Sequence, residues 1–88
     1  MSAELMLEVK KTIVEAAWLK ISPSEIANDC PLYGPGGLGL ESIDMTTLIF
    51  DLEKRFSIRI PEDPEVVKKI LHTASSILDE ILRQRRPT

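Results

Sequence analysis

The amino-acid sequence predicts an all-α fold: a small four-helix bundle with a long loop between its first and second helices and a short third helix. Three observations lead there. Apolar residues recur at helical spacing in four separate stretches. A serine, aspartate or threonine stands where each stretch begins, the residue types that cap helix starts. The one stretch that alternates like a strand, residues 57–61, has no second strand to pair with and ends in Pro61.

The first stripe, from residue 3 to about 19, is Leu5, Val9, Ile13, Ala16 and Ala17, with Ser2 as its expected cap. Ser22, Pro23 and Glu25 then combine a cap serine, a first-turn proline and an acid three residues on, which predicts one short turn of helix. Residues 28–39 hold two prolines and all four glycines without a hydrophobic period, and read as a long loop. The strongest periodicity follows: Met45, Leu48, Ile49, Leu52 and Phe56 place a helix over 42–56. After an extended connector, Asp63, Pro64 and Glu65 start a short third helix carrying Val66, Val67, Ile70 and Leu71. Thr73 caps the last helix, whose stripe is Ala74, Ile77, Leu78, Ile81 and Leu82, with Asp79 and Arg83 spaced as an ion pair. Residues 84–88 are expected to form a flexible tail.

With 88 residues, the chain is expected to form a single domain over 1–88, too small for two domains and a pocket between them. Eleven basic residues against fourteen acidic ones give a net charge of −3 and no basic face for nucleic acid. A lone cysteine, Cys30, excludes an internal disulfide and a cysteine metal cage; no metal site is readable. The chain start has no secretory pattern and no apolar run is long enough to cross a bilayer, so a cytoplasmic protein without stable membrane insertion is expected. Four stripes that satisfy one another leave no apolar face over, which favours a monomer.

Gly34, Gly36 and Gly39 match the spacing of a dinucleotide-binding turn, but that turn needs a preceding strand and a parallel sheet, and helical periodicity lies on both sides. Ser42 lacks the G-x-S-x-G elbow of a serine hydrolase, and the only histidine, His72, is distant in sequence. A self-sufficient hydrolase is therefore not expected, nor is any other enzyme activity. Two readings of Ser42 stay open: a helix cap, or a hydroxyl placed where backbone N–H groups and the helix dipole favour a phosphodiester.

At this point the sequence resembles a known family. Leu38-Gly39-Leu40-Glu41-Ser42-Ile43-Asp44 is similar to the L-G-x-D-S-L-D signature of acyl carrier proteins, and Leu52-Glu53-Lys54-Arg55-Phe56 through Ile60-Pro61 resembles the L-E-E-E-F…I-P segment that follows it. The resemblance implies that Ser42 receives 4′-phosphopantetheine from coenzyme A through a separate phosphopantetheinyl transferase. Acyl groups would then ride as thioesters between acyl-loading, synthase and acyltransferase enzymes of fatty-acid, specialised lipid or polyketide biosynthesis. It further implies an acyl-sheltering core drawn from Ile43, Leu48, Ile49, Leu52, Val67 and Leu71. Partner recognition would fall to Glu41, Asp44, Met45, Phe50, Asp51 and Glu53. The chain departs from the family where Thr47 and Lys54-Arg55 stand in place of usual acids, which points to different partner enzymes. The proline- and glycine-rich approach to Ser42 is more similar to carriers of specialised pathways. A D-alanyl or peptidyl carrier is a neighbouring reading, although the peptidyl type usually has G-G-x-S at this position. The reading from another class is an unmodified helical protein-interaction module.

Overall fold

The computed structural model describes residues 2–34 and 36–85. Four helices follow one another, α1 (Ser2–Ala17), α2 (Ser42–Phe56), α3 (Pro64–Ile70) and α4 (Ala74–Arg85), with a 3₁₀ turn at Pro23–Glu25. Among the described residues no strand forms; Pro31 and Thr73 make an isolated bridge. The expected helical bundle is the one observed.

Each helix buries the centre of the stripe that its sequence spaces onto one face, although Leu82, expected in the stripe of α4, is exposed. Val9 and Ile13 of α1, Leu48 and Leu52 of α2, and Ile77 and Ile81 of α4 meet in a core from which solvent is excluded. α1 packs against both α2 and α4, and α3 packs against α4. Arg55 in the last turn of α2 reaches across to α1, pairing with Glu15 and donating to the Thr12 hydroxyl at 3.4 Å. Thr12 is fully buried, and its hydroxyl is satisfied by donating to the Glu8 carbonyl at 2.8 Å. α1 ends two residues before the expected boundary because Trp18 turns into the left-handed region (φ +54°), and Leu19 N–H closes back onto the Val14 carbonyl at 3.0 Å.

The long connection between α1 and α2 is fastened to the α3–α4 half of the molecule at three points. Ser75 N–H donates to the Asn28 carbonyl and Leu32 N–H to the His72 carbonyl, each at 2.9 Å, while the Tyr33 hydroxyl donates to the Lys68 carbonyl at 2.9 Å. Ile26 and Leu32 are buried with the helices. Gly37 lies so close to this loop's own backbone that a Cβ there would stand 2.6 Å from the Pro31 carbonyl oxygen. Gly39, at φ +82°, makes the turn that delivers the chain into α2.

The other signals resolve in detail. Asp63 caps α3 by accepting from Glu65 N–H at 3.0 Å, and Pro64 opens that helix. Thr73 and Ser76 cap α4 reciprocally, each hydroxyl accepting from the other's backbone N–H, at 3.0 and 2.9 Å. Arg83 pairs with Glu80 rather than with Asp79, the Glu80 carboxylate being held towards it by Gln84, which donates to it at 2.6 Å. Of the residues expected in a flexible tail, Gln84 and Arg85 belong to α4, and 86–88 lie outside the described residues. Ser2 is itself the first residue of α1.

Candidate functional site

The start of α2 gathers the residues that the sequence singles out. Glu41, not Ser42, occupies the cap position, with extended backbone (φ −101°, ψ 175°). Its N–H donates to the Asp44 carboxylate at 3.0 Å, and its carbonyl receives the first helical bond from Met45 N–H at 2.9 Å. Ser42 is the first helical residue and is exposed. The cap reading of Ser42 is thereby corrected: the reciprocal use of Glu41 and Asp44 closes the helix end without its hydroxyl. The first-turn N–H groups that follow have no helical acceptor and create a positive end to α2.

Ser42 stands at the rim of a cleft of about 330 Å³ between α2, α3 and the end of the long loop. Met45 and Ile49 form one wall, Val67 and Pro64 the other, and Tyr33 and Leu40 close the end; Thr46 and Lys68 edge it. A neighbouring cleft of about 310 Å³ shares Thr46, Ile49 and Val67 and continues towards Ile60 and Pro61. Of the expected acyl-sheltering residues, Ile49 and Val67 face this cleft. Leu48, Leu52 and Leu71 are fully buried, forming the packed layer of the core. Ile43 departs from the expectation: at 73% exposed it points outward, because its position on the helix is offset from the Leu48–Leu52 stripe.

The expected recognition residues divide in the same way. Met45 lines the cleft, and Phe50 is 66% exposed. Asp44 is engaged at the helix cap, and the Glu53 carboxylate accepts from Ile60 N–H at 2.9 Å, which fixes the connector after α2. Glu41 is exposed and Asp51 half-buried. Tyr33, Leu40 and Lys68 were missed as cleft residues. Tyr33 did carry a signal, being the only tyrosine and set in a glycine-rich loop, where a large ring needs an anchor.

His72 is exposed at the α3–α4 junction, its ring tilted against Tyr33 at 6.2 Å, and it does not line the cleft at Ser42. Cys30 is half-buried, with its sulfur 3.6 Å from the Pro31 carbonyl. Among the described residues no group of three or more His, Cys, Asp or Glu side chains is placed to hold a metal ion. No helix among them is long and apolar enough to cross a membrane.

The site thus comprises a small helical bundle with an accessible hydroxyl at a helix start beside an apolar cleft. Comparison with known proteins identifies the class of protein. The family described as "Phosphopantetheine attachment site" matches residues 9–81. An acyl carrier protein from Sulfurovum sp. strain NBC37-1 is 38% identical over 56 residues, which cover 64% of this chain and 69% of that protein. The chain belongs to the acyl carrier protein family, whose domain is the site of covalent 4′-phosphopantetheine attachment. Such carriers are generally non-catalytic and work with phosphopantetheinyl transferases and with synthase or acyltransferase enzymes.

Proposed function

We propose that this chain is an acyl carrier in which Ser42 bears the 4′-phosphopantetheine arm and which has no catalytic activity of its own. The observation that carries this reading is the exposed Ser42 at the first position of α2, left free because Glu41 and Asp44 close the helix end. A phosphodiester fits there. The hydroxyl meets solvent, and the first-turn N–H groups with the positive end of the dipole favour the anion that attachment creates. Ser42 needs no base beside it, since the modifying enzyme supplies one. When attached, the arm provides a thiol on which acyl groups are held as thioesters. Met45, Ile49 and Val67 offer such cargo an apolar wall next to the attachment point, while Leu48, Leu52 and Leu71 support that wall from the core.

The pathway is read from the departures. Thr47 and Lys54 lie on the exposed side of α2, where acids are usual in the family, and this supports partner enzymes different from those of a housekeeping fatty-acid carrier; the proline- and glycine-rich approach to Ser42 is what supports a specialised lipid or polyketide pathway.

Intact mass after incubation with coenzyme A, magnesium and a broad-specificity phosphopantetheinyl transferase tests the reading. The native chain should gain one phosphopantetheine. Ser42→Ala should gain none while melting within about 0.5 kcal/mol of native stability, as expected for a surface residue that caps nothing. A folded native chain that gains no mass would return Ser42 to a surface role and favour an unmodified interaction module.

A further inference from the structure

The carrier reading, on which this inference rests, creates a phosphodiester on Ser42 and leaves open what answers its charge. Ser42 lines one side of the cleft between α2 and α3, and Lys68, from the last turn of α3, lines the other. Two charged side chains border this cleft, Glu41 and Lys68, and Lys68 is its only cation. Lys68 is exposed, and the ion pairs formed among the described residues are Lys11–Glu8, Arg55–Glu15 and Arg83–Glu80. Its ammonium is thus uncommitted, although Glu41 borders the same cleft and Glu65 stands three residues before it on the same helix.

The backbone that carries Lys68 is fixed. The Tyr33 hydroxyl donates to the Lys68 carbonyl at 2.9 Å, so the loop that leads to Ser42 and the turn that holds Lys68 are tied to each other. A cation in the last turn of a helix has an ordinary explanation, since it answers the negative end of the dipole. Lys69 meets that explanation equally well, being exposed in the same turn, but it does not line the cleft. What separates Lys68 from Lys69 is its place on the cleft that Ser42 borders. Lysine suits that place: its stem packs on apolar surface while the head stays in water, and its rotatable ammonium binds phosphate as a point charge.

We infer that Lys68 is the counter-cation of the phosphodiester on Ser42, a positioning residue that ties α3 to the attachment point in the loaded form. It favours placement of the arm's root on the side of Ser42 where Met45, Ile49 and Val67 supply the apolar wall. An exposed pair of this kind is weak and screened by salt, because the Debye length shrinks from about 10 Å at 0.1 M to about 3 Å at 1 M.

The test compares the unloaded and phosphopantetheinylated forms of the native chain, Lys68→Gln, Lys68→Arg and Lys69→Gln. Each is loaded with coenzyme A, magnesium and a broad-specificity phosphopantetheinyl transferase, and loading is checked by intact mass. Circular dichroism then reads the change in Tm on loading, at about 0.1 M and about 1 M salt. At the lower salt that change should be more favourable in the native chain than in Lys68→Gln by about 2–4 °C, with Lys68→Arg and Lys69→Gln within about 1 °C of native. At the higher salt the four values should converge. Side-chain NMR of the native chain gives a reading without any substitution: the Lys68 Cε–Hε signals should move on loading and those of Lys69 should stay. Equal changes in Tm for the native chain and Lys68→Gln overturn the inference, as does an equal loss in Lys69→Gln or a Lys68 signal that loading leaves in place. Those results leave the carrier reading standing. A folded native chain that gains no mass overturns both.

Discussion

Glu80 has a side chain only 11% exposed, yet its carboxyl is held below the usual glutamate range. The hydrogen bond from Arg83 is the largest cause; burial opposes it, and a further hydrogen bond from Gln84 and the charge of Arg83 add to it. A carboxyl whose folded pKa is depressed contributes stability that is present above its unfolded value, about 4.3, and lost as pH falls through the lower folded value. Glu80→Gln should therefore melt a few degrees below the native chain at pH 7, with the gap closing below about pH 4, which thermal melts across that range would measure. Equal gaps at both ends would show that the pair contributes through packing and not through charge. The sequence offered Asp79 as the partner of Arg83, and both spacings are favourable on an isolated helix. What decided between them is Gln84, which binds the Glu80 carboxylate at 2.6 Å and sets it facing Arg83. Ser42 gives the same lesson at the site. A serine before an apolar stripe reads as a cap, and only the backbone shows Glu41 taking that place.

At the scale of elements, legibility followed local periodicity. The stripes of α1, α2 and α4 and the caps at Asp63 and Thr73 are set by residues within one turn of each other, and these were readable. The connector at residues 57–61 was readable as extended but not in what satisfies it. Gln84 supplies the missing partner: its side-chain oxygen accepts from Arg59 N–H at 2.8 Å and its amide nitrogen donates to the Arg59 carbonyl at 2.7 Å. A side-chain amide thus does for one residue what a neighbouring strand would do, and the separation of twenty-five positions between the two hid it from any local pattern. The same contact explains why α4 persists where a tail was expected. Gln84→Ala should cost about 1 kcal/mol and speed amide exchange at Arg59, while Ile58 and Ile60 stay buried and the rest of the exchange pattern is kept. An unchanged Arg59 amide would mean that the pairing is dispensable and that burial of Ile58 and Ile60 alone holds the connector.

Across the whole molecule, the connection between α1 and α2 bears on how the candidate site is held. A proline- and glycine-rich loop in front of Ser42 suggests a flap that opens independently of the helices. Leu32 argues against this, since it is fully buried in the common core, and its backbone both donates to the His72 carbonyl and accepts from Leu40 N–H. The loop is thus a structural member between the two halves of the bundle, and the mouth of the Ser42 cleft is built on it through Tyr33 and Leu40. Leu32→Ala should remove about 2–5 kcal/mol. That is a large part of the roughly 4–13 kcal/mol that a domain of this size commands. If the loop belongs to the cooperative unit, the urea midpoint by circular dichroism falls, and amide exchange at Leu40 and at Leu48 of α2 accelerates by similar factors. If it is a flap, exchange rises only around Leu32 and Leu40 and the midpoint does not move. Tryptophan fluorescence is a poor monitor for this experiment, because Trp18 is 87% exposed in the folded chain and its surroundings change little on unfolding. A cooperative result would mean that α2 and the wall facing it are set before any partner arrives, so that the loading enzyme meets Ser42 and the cleft beneath it already in place.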